Sequence, residues 1–378
     1  MITPSNLKQA GGNVVATFGL QALALTEYRN YGACFVELSS GFNLVAGPNA
    51  QGKTNLLEAI YLLSTTRLLR GQRDAEAVRS GATRAKVEGR LLESSTTISI
   101  ELAAGVRKRA LLNGLGLPRA ADLIGRLPSV CVSTLDMEIV RGEPSERRLF
   151  LDLELSALYP SYLRHLTLYK RALEQRNALL KDSREFMRPP ADFEVWEAQL
   201  AEHGHELREQ RRGYLSTLAP FLAEAHAFVG NGETLKASYE QRDEAASSES
   251  AAELMARTRG SDVGRGSTSI GPHRDELAVE VGGRDARLFG SQGQQRTAVI
   301  ALKMATMEVI RQELGAVPIL LLDDIFSDLD ATRREQLVHW VLERAGQVVL
   351  TCTEAAAAGP AILDRAKVFQ VRAGEISP

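Results

Sequence analysis

The octapeptide Gly47-Pro48-Asn49-Ala50-Gln51-Gly52-Lys53-Thr54 lies between a short apolar run, residues 42–45, and a segment with helically spaced apolar residues, 53–63. It fits the pattern G-x-x-x-x-G-K-[ST] in the strand–loop–helix context that the pattern requires. Its glycines let the backbone curl so that N–H groups point at phosphate oxygens, and the start of a helix favours anions. The octapeptide therefore predicts a P-loop that holds the phosphates of ATP.

Two side chains of this loop are expected to act on the nucleotide directly. Lys53 can reach the β- and γ-phosphates, and Thr54 can ligate Mg²⁺ through its hydroxyl group. A chance Gly-rich turn is the alternative, and it is disfavoured because a strand and a helix flank the loop on the required sides. The predicted cofactors are accordingly ATP and Mg²⁺.

A second segment, Ile319-Leu320-Leu321-Leu322-Asp323-Asp324, has the composition of a buried strand that ends in two carboxylates. Asp323 is predicted to join the Mg²⁺ ligands, as the acidic residue of a Walker B strand does. Asp324 would then face the attacking water as general base. A strand that ends in a solvated acidic turn would look the same, but the P-loop favours the catalytic interpretation. Lys53 and Asp324 are therefore the predicted catalytic residues.

A third segment, Ser291-Gln292-Gly293-Gln294-Gln295, directly precedes an apolar-periodic helix. It resembles the signature motif of ABC ATPases, in which it contacts the γ-phosphate held by a partner chain, although Gln292 stands where glycine is more common. An ordinary helix N-cap is the alternative. The resemblance places four residues at the nucleotide: Ser291, Gln292, Gly293 and Gln294.

Further ABC-type motifs are incomplete. Ser327-Asp328-Leu329-Asp330 resembles a D-loop, the segment that crosses the dimer seam. Residues 351–354 stand where such proteins often carry a switch histidine, and Thr353 is the only weak substitute that we identify. A Q-loop glutamine cannot be assigned from the sequence.

Composition indicates a globular protein of the reducing cytoplasm. The 378 residues are 44% hydrophobic and 24% charged, without the ~20 consecutive apolar residues of a membrane span. The N-terminus lacks the pattern of a secretory signal, and the three scattered cysteines form no CxxC pair, which argues against a zinc site or a disulfide framework. The net charge of -2 neither indicates nor excludes a nucleic-acid surface.

The order of the segments predicts a helical domain inserted into an α/β domain. Residues 146–180 and 196–228 are long, charged and helix-periodic, and Pro189-Pro190 separates them. We expect an ATPase head from residues 1–135 and 262–378, and a mainly helical second domain at 136–261. The predicted fold class is α/β, a P-loop ATPase head of the ABC/SMC type with a helical insertion and no long coiled coil.

The order of these motifs resembles the ATPase heads of SMC-like proteins, and nearly the whole chain resembles the RecF family of bacterial recombination mediators. Many unrelated proteins share a P-loop, whereas the Gln-Arg-Asn and Gly-Pro-His segments, in this order, are far more selective. Six segments carry the resemblance together with Ser327-Asp328-Leu329-Asp330. These are Tyr28-Arg29-Asn30-Tyr31, Gly41-Phe42-Asn43, Asn55-Leu56-Leu57-Glu58-Ala59-Ile60, Arg147-Arg148-Leu149-Phe150-Leu151-Asp152, Gln175-Arg176-Asn177-Ala178-Leu179-Leu180-Lys181 and Gly271-Pro272-His273-Arg274-Asp275.

This resemblance implies a role in recombinational DNA repair. RecF-like proteins bind duplex and gapped DNA in an ATP-dependent way, and act with RecO and RecR to load the RecA recombinase at single-strand gaps coated with SSB. Their ATPase is slow, and hydrolysis ends an ATP-dependent homodimer. The resemblance thus implies a cytoplasmic DNA-binding switch with weak ATPase activity and no membrane attachment.

A basic run is the candidate DNA surface. Residues 164–188 carry seven basic and three acidic side chains, a local charge of +4. Phosphates would attract such a surface, although a solvated helix face is equally compatible with the run. Arg67 and Arg70 are further candidates for DNA or nucleotide. The predicted DNA contacts in the run are Arg164, Lys170, Arg171, Arg176 and Lys181.

Two other classes of protein share part of this pattern. The ATPase subunit of a membrane transporter would also have a P-loop, a signature and a D-loop. It usually carries a glutamate at the position of Asp324, a switch histidine and a Q-loop, which are missing or unrecognised here. A structural SMC-like tether would need a heptad arm far longer than residues 146–228. The repair switch is therefore the favoured prediction, with the transporter subunit as the alternative.

Overall fold

The structure, a computed structural model, describes residues 16–70, 73–186, 192–230 and 232–377. The α-helices of these residues are α1 (Lys53–Thr65), α2 (Glu138–Arg141), α3 (Pro144–Leu158), α4 (Pro160–Phe186), α5 (Phe193–Val229), α6 (Ser248–Arg265), α7 (Ala286–Phe289), α8 (Gln292–Leu314), α9 (Ala331–Arg344) and α10 (Pro360–Leu363). The strands are β1 (Ala16–Thr17), β2 (Leu20–Tyr28), β3 (Tyr31–Glu37), β4 (Phe42–Ala46), β5 (Arg84–Leu91), β6 (Thr97–Ala103), β7 (Val106–Leu112), β8 (Leu115–Gly116), β9 (Ser129–Ser133), β10 (Leu235–Glu240), β11 (Glu276–Val281), β12 (Arg284–Asp285), β13 (Ala316–Val317), β14 (Ile319–Asp323), β15 (Val348–Cys352), β16 (Ala366–Arg372) and β17 (Glu375–Ser377).

A largely parallel sheet forms the centre of the molecule, with the strand order β17-β16-β4-β15-β14-β9 among the described residues. Strand β17 runs antiparallel to β16, and the other neighbours are parallel. Both faces of this sheet are buried: Ile319 and Leu321 belong to one apolar core, and Leu320 and Leu322 belong to the other. Burial on both faces explains why the strand reads as a continuous apolar run.

Helix α1 lies between the parallel sheet and an antiparallel sheet with the order β3-β2-β5-β6-β7-β8. Its apolar residues Leu56, Leu57, Ile60 and Leu63 are fully buried in the core between the two sheets. At the turn after β7, Asn113 and Gly114 both have positive φ, 50° and 77°, which Asn-Gly tolerates well in a tight hairpin. The strand and the helix predicted on either side of the octapeptide are confirmed as β4 and α1.

The helical part departs from the sequence prediction in two places. Residues 146–180 form two helices, because Tyr159 takes the extended conformation that a following proline favours and Pro160 begins α4. Strand β10 lies inside the segment predicted to be helical and pairs with β11, while α6 continues through the predicted boundary at 261/262. The division into two domains therefore stays a prediction, and Pro189-Pro190 lies outside the described residues.

The fold class is nevertheless the predicted one. A P-loop sheet, an antiparallel sheet and a helical part are present, and the longest helix of the described residues is α5, with 37 residues. Strands β9, β16 and β17, which the sequence analysis did not predict, complete the parallel sheet. Each described helix is too short or too polar to cross a bilayer.

Candidate nucleotide site

Two of the predicted motifs, the P-loop and the acidic strand, meet at one edge of the parallel sheet. The P-loop, residues 47–52, follows β4, and Asp323 ends β14. Strand β15 lies between these two strands and runs parallel to both, so all three end at the same edge. This topology brings the P-loop and the acidic strand, about 270 residues apart in sequence, to adjacent positions.

Two positions of the P-loop require glycine because of their backbone conformation and close neighbours. Gly47 has φ +154° and Gly52 has φ +118°, values that side chains rarely allow. A Cβ atom at Gly47 would lie 2.3 Å from the Val371 carbonyl oxygen, and one at Gly52 would lie 2.6 Å from Asn30 Nδ2. Ala50 also has a positive φ, 63°, which costs about 1–2 kcal/mol for a residue with a Cβ atom.

Neighbouring loops hold this strained conformation. Asn30 Nδ2 donates to the Gln51 carbonyl oxygen at 2.8 Å, and Tyr31 Oη donates to the Gly52 carbonyl oxygen at 2.9 Å. From the β16–β17 turn, the Gly374 amide donates to the Gln51 carbonyl oxygen at 3.1 Å, and the Ala373 amide donates to Gln51 Oε1 at 2.7 Å. Contacts from outside the loop therefore hold its backbone, and these supporting residues were missed in the sequence analysis.

The Lys53 side chain lies against the P-loop. Its Nζ atom donates to the carbonyl oxygens of Gly47 at 2.7 Å and Pro48 at 2.9 Å, so the ammonium group is folded over the loop. Burial lowers the pKa of Lys53, and the carboxylates of Asp324 and Asp323 oppose that shift. Both carboxylates at the end of β14 therefore favour the charged form of the ammonium group.

The predicted metal ligands are in direct contact. Thr54 Oγ1 donates to Asp323 Oδ1 at 2.8 Å, so a hydroxyl and a carboxylate lie side by side. Oxygen donors of this kind are what Mg²⁺ prefers, together with phosphate and water oxygens. The residues present therefore fit the metal.

A threonine that was not predicted completes this cluster. Thr351 Oγ1 donates to the same Asp323 Oδ1 atom at 2.8 Å and accepts from the Asp324 amide at 3.0 Å. Asp324 itself has φ 52° and ψ 30°, a left-handed conformation that aspartate and asparagine tolerate better than most residues. Thr351 therefore bonds to both residues of the acidic pair, and the assignment of Thr353 in place of a switch histidine stays a prediction.

The signature-like segment begins α8 with a capping box. Ser291 Oγ accepts from the Gln294 amide at 3.2 Å, and Gln294 Oε1 accepts from the Ser291 amide at 2.7 Å. Gln294 Nε2 also donates to Glu233 Oε1 at 2.6 Å. Ser291 and Gln292 are exposed. The segment is therefore a helix N-cap, and the residues Ser291 and Gln292 remain exposed to solvent.

The surroundings of this cap leave space for another molecule. A Cβ atom at Gly293 would have Arg333 Nη2 as its nearest neighbour, at 3.9 Å, so packing within the chain does not require glycine there. The preceding Leu288 and Phe289 are 70% and 66% exposed. In the D-loop-like segment, Asp330 caps α9, while the side chains of Ser327 and Asp328 lie outside the described residues.

The prediction that Arg176 contacts DNA is wrong, because its side chain is buried. Arg176 is fully buried and donates to Glu197 Oε1 at 2.9 Å, Asp262 Oδ2 at 2.8 Å and Thr268 Oγ1 at 2.9 Å. A guanidinium group enclosed by two carboxylates inside the protein cannot reach a phosphate of DNA. Arg176 joins α4 to α5 and α6 instead.

The other candidates of the basic run are exposed: Arg164, Lys170, Arg171 and Lys181. Arg164 and Arg171 lie seven residues apart on α4, hence on one side of the helix and about 10 Å apart. Lys170 also lines a cleft of about 750 Å³ between the end of α1 and helices α3 and α4, which Arg67 lines too. Basic groups from both parts of the molecule therefore share one cleft.

Comparison with known proteins agrees with this geometry. The RecF/RecN/SMC N terminal domain family model matches residues 19–376. The DNA replication and repair protein RecF of Symbiobacterium thermophilum is 40% identical over 349 residues, with 89% of this chain and 91% of the relative covered. The protein of the same name from Bacillus subtilis is 34% identical over 369 residues, with 94% and 99% covered.

Solved structures give the same result. A structure of the recombination mediator protein RecF with ATP, in the RecFOR pathway, has a TM-score of 0.88 and 28% identity, with 97% of this chain and 99% of that chain covered. The Smc head domain of Pyrococcus furiosus has a TM-score of 0.57 at 17% identity, with 96% of each chain covered, and shares the fold.

Proposed function

Because the chain belongs to the RecF family of DNA replication and repair proteins, we propose that it is an ATP-controlled, DNA-binding switch that closes as a homodimer around two nucleotides. In this proposal it acts in the cytoplasm, binds duplex and gapped DNA, and works with RecO and RecR to load RecA at gaps coated with SSB. Slow ATP hydrolysis then separates the dimer.

The observation that carries the proposal is the division of the site between two surfaces. The P-loop, Thr54, Asp323 and Asp324 form one surface, whereas the exposed cap at Ser291 begins another helix beside unburied Leu288 and Phe289. A helix start with exposed amides favours an anion, and apolar side chains favour burial in a contact. A second copy of the chain that brings its own γ-phosphate to Ser291 would satisfy both.

Each residue has a chemical task in this mechanism. The P-loop amides and Lys53 bind the phosphates, and Thr54 and Asp323 would hold Mg²⁺, which supplies charge neutralisation on the phosphate oxygens. Thr351 orients Asp323 by its hydrogen bond and holds the Asp324 amide. Asp324 accepts the proton of the attacking water. Loss of the γ-phosphate then removes the contact that keeps Ser291 of each chain at the seam.

Ser291→Arg should block ATP-dependent dimerisation, because a long cation would fill the space where the partner's γ-phosphate docks. ATP binding to the monomer should remain nearly intact. Light scattering with ATP, ADP and no nucleotide measures the effect. The matched control is Ser291→Ala, which removes the same cap, worth about 1 kcal/mol, without adding bulk. Dimerisation of Ser291→Arg at the wild-type level would reduce this segment to an ordinary helix cap.

Replacement of Arg164, Arg171 and Lys181 by alanine should weaken DNA binding without changing ATP affinity. The slope of log K against log salt should become shallower by about one unit per lost phosphate contact. Fluorescence anisotropy with duplex and gapped DNA at several salt concentrations measures both quantities.

The control for this variant is a triple replacement of Arg84, Arg90 and Arg109, which are equally exposed but lie on the antiparallel sheet. It should bind DNA with the wild-type slope. Equal slopes for wild type and both variants would make the exposed face of α4 a solvated surface with no part in DNA binding.

A further inference from the structure

A lysine is buried in the middle of the signature helix, α8. Lys303 is only 6% exposed, although lysine is rarely buried unless its charge is paired. Its Nζ atom lies 3.0 Å from Asp136 Oδ1 and 3.4 Å from Glu154 Oε1, and 5.1 Å from the centre of the Phe150 ring. No step of nucleotide binding or hydrolysis uses this group, so its retention needs another reason.

The two carboxylates come from different parts of the molecule. Asp136 lies in the turn Thr134–Met137 that follows β9, and Glu154 lies in α3 of the helical part. Asp136 Oδ2 also accepts from the Ser133 amide at 2.7 Å and from Ser133 Oγ at 2.9 Å. Ser133 is paired with Asp323 in the sheet. The sheet register and these polar contacts thus connect the metal-binding edge to the signature helix.

Burial and charge act in opposite directions on this cluster. Burial disfavours the charged form of Lys303, but Asp136 and Glu154 outweigh burial and raise its pKa. Burial raises the pKa of Glu154, and Lys303 opposes that shift. A buried ionic cluster of this kind contributes little stability compared with apolar residues of the same volume. The cluster instead fixes the relative position of the elements that carry it, because its charged groups must stay close together.

The packing around Lys303 itself is incomplete. A cavity of about 140 Å³ adjoins the cluster and is lined by Ser133, Asp136, Glu154 and Lys303. Residues 297–310 of α8 are otherwise buried, so on the side of the helix that faces this space the ionic cluster takes the place of apolar packing. Lys303 lies eleven residues beyond Gln292, about 16 Å along a rigid helix. A small rotation at Lys303 therefore moves the cap at Ser291.

We propose that Lys303 is a positioning residue, which with Asp136 and Glu154 locks the signature helix to the metal-binding edge so that Ser291 meets the partner's γ-phosphate. The inference rests on the proposed ATP-dependent dimer and names the part of the chain that sets its geometry. Loss of the lock leaves the P-loop intact, because the residues that support the P-loop are Asn30, Tyr31, Ala373 and Gly374.

Lys303→Met should separate ATP binding from dimerisation. Calorimetry should show ATP affinity within about twofold of wild type, while the dimerisation constant in ATP, measured by light scattering, falls at least about tenfold. Lys303→Arg keeps the charge and should restore dimerisation. Arg311→Met is the matched control on the same helix, because Arg311 is 39% exposed and its partner Glu308 keeps a second cation, Arg344, at 3.4 Å.

A second variant covers the case in which Lys303→Met unfolds because two carboxylates are left buried without a cation. The triple replacement Lys303→Met, Asp136→Asn and Glu154→Gln leaves no buried charge, so it should fold and bind ATP yet dimerise as poorly as the single variant. Dimerisation of the folded triple variant within about twofold of wild type overturns the inference alone. Failure of the wild-type chain to dimerise in ATP overturns the proposed function and this inference together.

Discussion

Lys53→Ala should lower the affinity for ATP by at least about 100-fold, because the variant loses the cation that reaches the β- and γ-phosphates. In the structure this ammonium group already faces the P-loop, since it donates to the Gly47 and Pro48 carbonyl oxygens. The P-loop backbone is held by Asn30 and Tyr31 rather than by Lys53, so the fold should persist. Isothermal calorimetry with ATP and Mg²⁺ measures the affinity.

Thermal unfolding without nucleotide provides the control for this variant. The melting temperature of Lys53→Ala should lie close to that of wild type in the absence of ATP, and ATP should raise the melting temperature of wild type only. If Lys53→Ala bound ATP with the wild-type affinity, the assignment of residues 47–54 as a P-loop would be wrong.

Asp324→Asn should bind ATP normally but hydrolyse it about 10²–10⁴ times more slowly, because an amide cannot accept the proton of the attacking water. The structure indicates that this substitution removes the carboxylate while the backbone and the neighbouring metal ligand stay unchanged. Asp324 has a left-handed backbone conformation, which asparagine adopts as readily as aspartate. The metal ligand Asp323 keeps its bonds to Thr54 and Thr351. A steady-state phosphate-release assay measures the rate.

The same variant should accumulate as the ATP-bound dimer, which gel filtration detects. Asp324→Ala is the comparison variant, since it removes the carboxylate and also leaves a residue that disfavours the left-handed conformation. It should hydrolyse ATP as slowly as Asp324→Asn but unfold at a lower temperature. Wild-type hydrolysis in both variants would assign the general base to another residue.

The sequence predicts those parts of the site that depend on local patterns. The P-loop and the strand with Asp323 are recognisable because composition, spacing and flanking elements lie within a few residues of each other. Thr351 bonds to a residue 28 positions away, and Asn30 braces a loop 21 positions away. Such contacts depend on the order of the strands in the sheet. A local sequence pattern carries no information about that order.

The burial of Arg176 shows that a local sequence pattern is also insufficient to predict a DNA-binding surface. A run of basic residues on a helix does not reveal which of them faces inward, because a buried arginine depends on partners elsewhere. Its carboxylate partners, Glu197 and Asp262, lie 21 and 86 residues further along the chain. Strand β10 was missed for a related reason, since its pairing partner, β11, lies beyond an intervening helix.

The clasp of Ala373 and Gly374 on Gln51 has a consequence for synthesis on the ribosome. Strand β4 needs both β15 and β16 beside it, and Gln51 is bound by residues made more than 300 positions later. A nascent chain therefore lacks these two contacts on its ATP-binding loop until the β16–β17 turn has been made. Nucleotide would accordingly stabilise earlier intermediates less than the finished chain. The residues made before this turn must avoid aggregation with less help from ATP, so late completion of the parallel sheet is a step at which the chain can misfold.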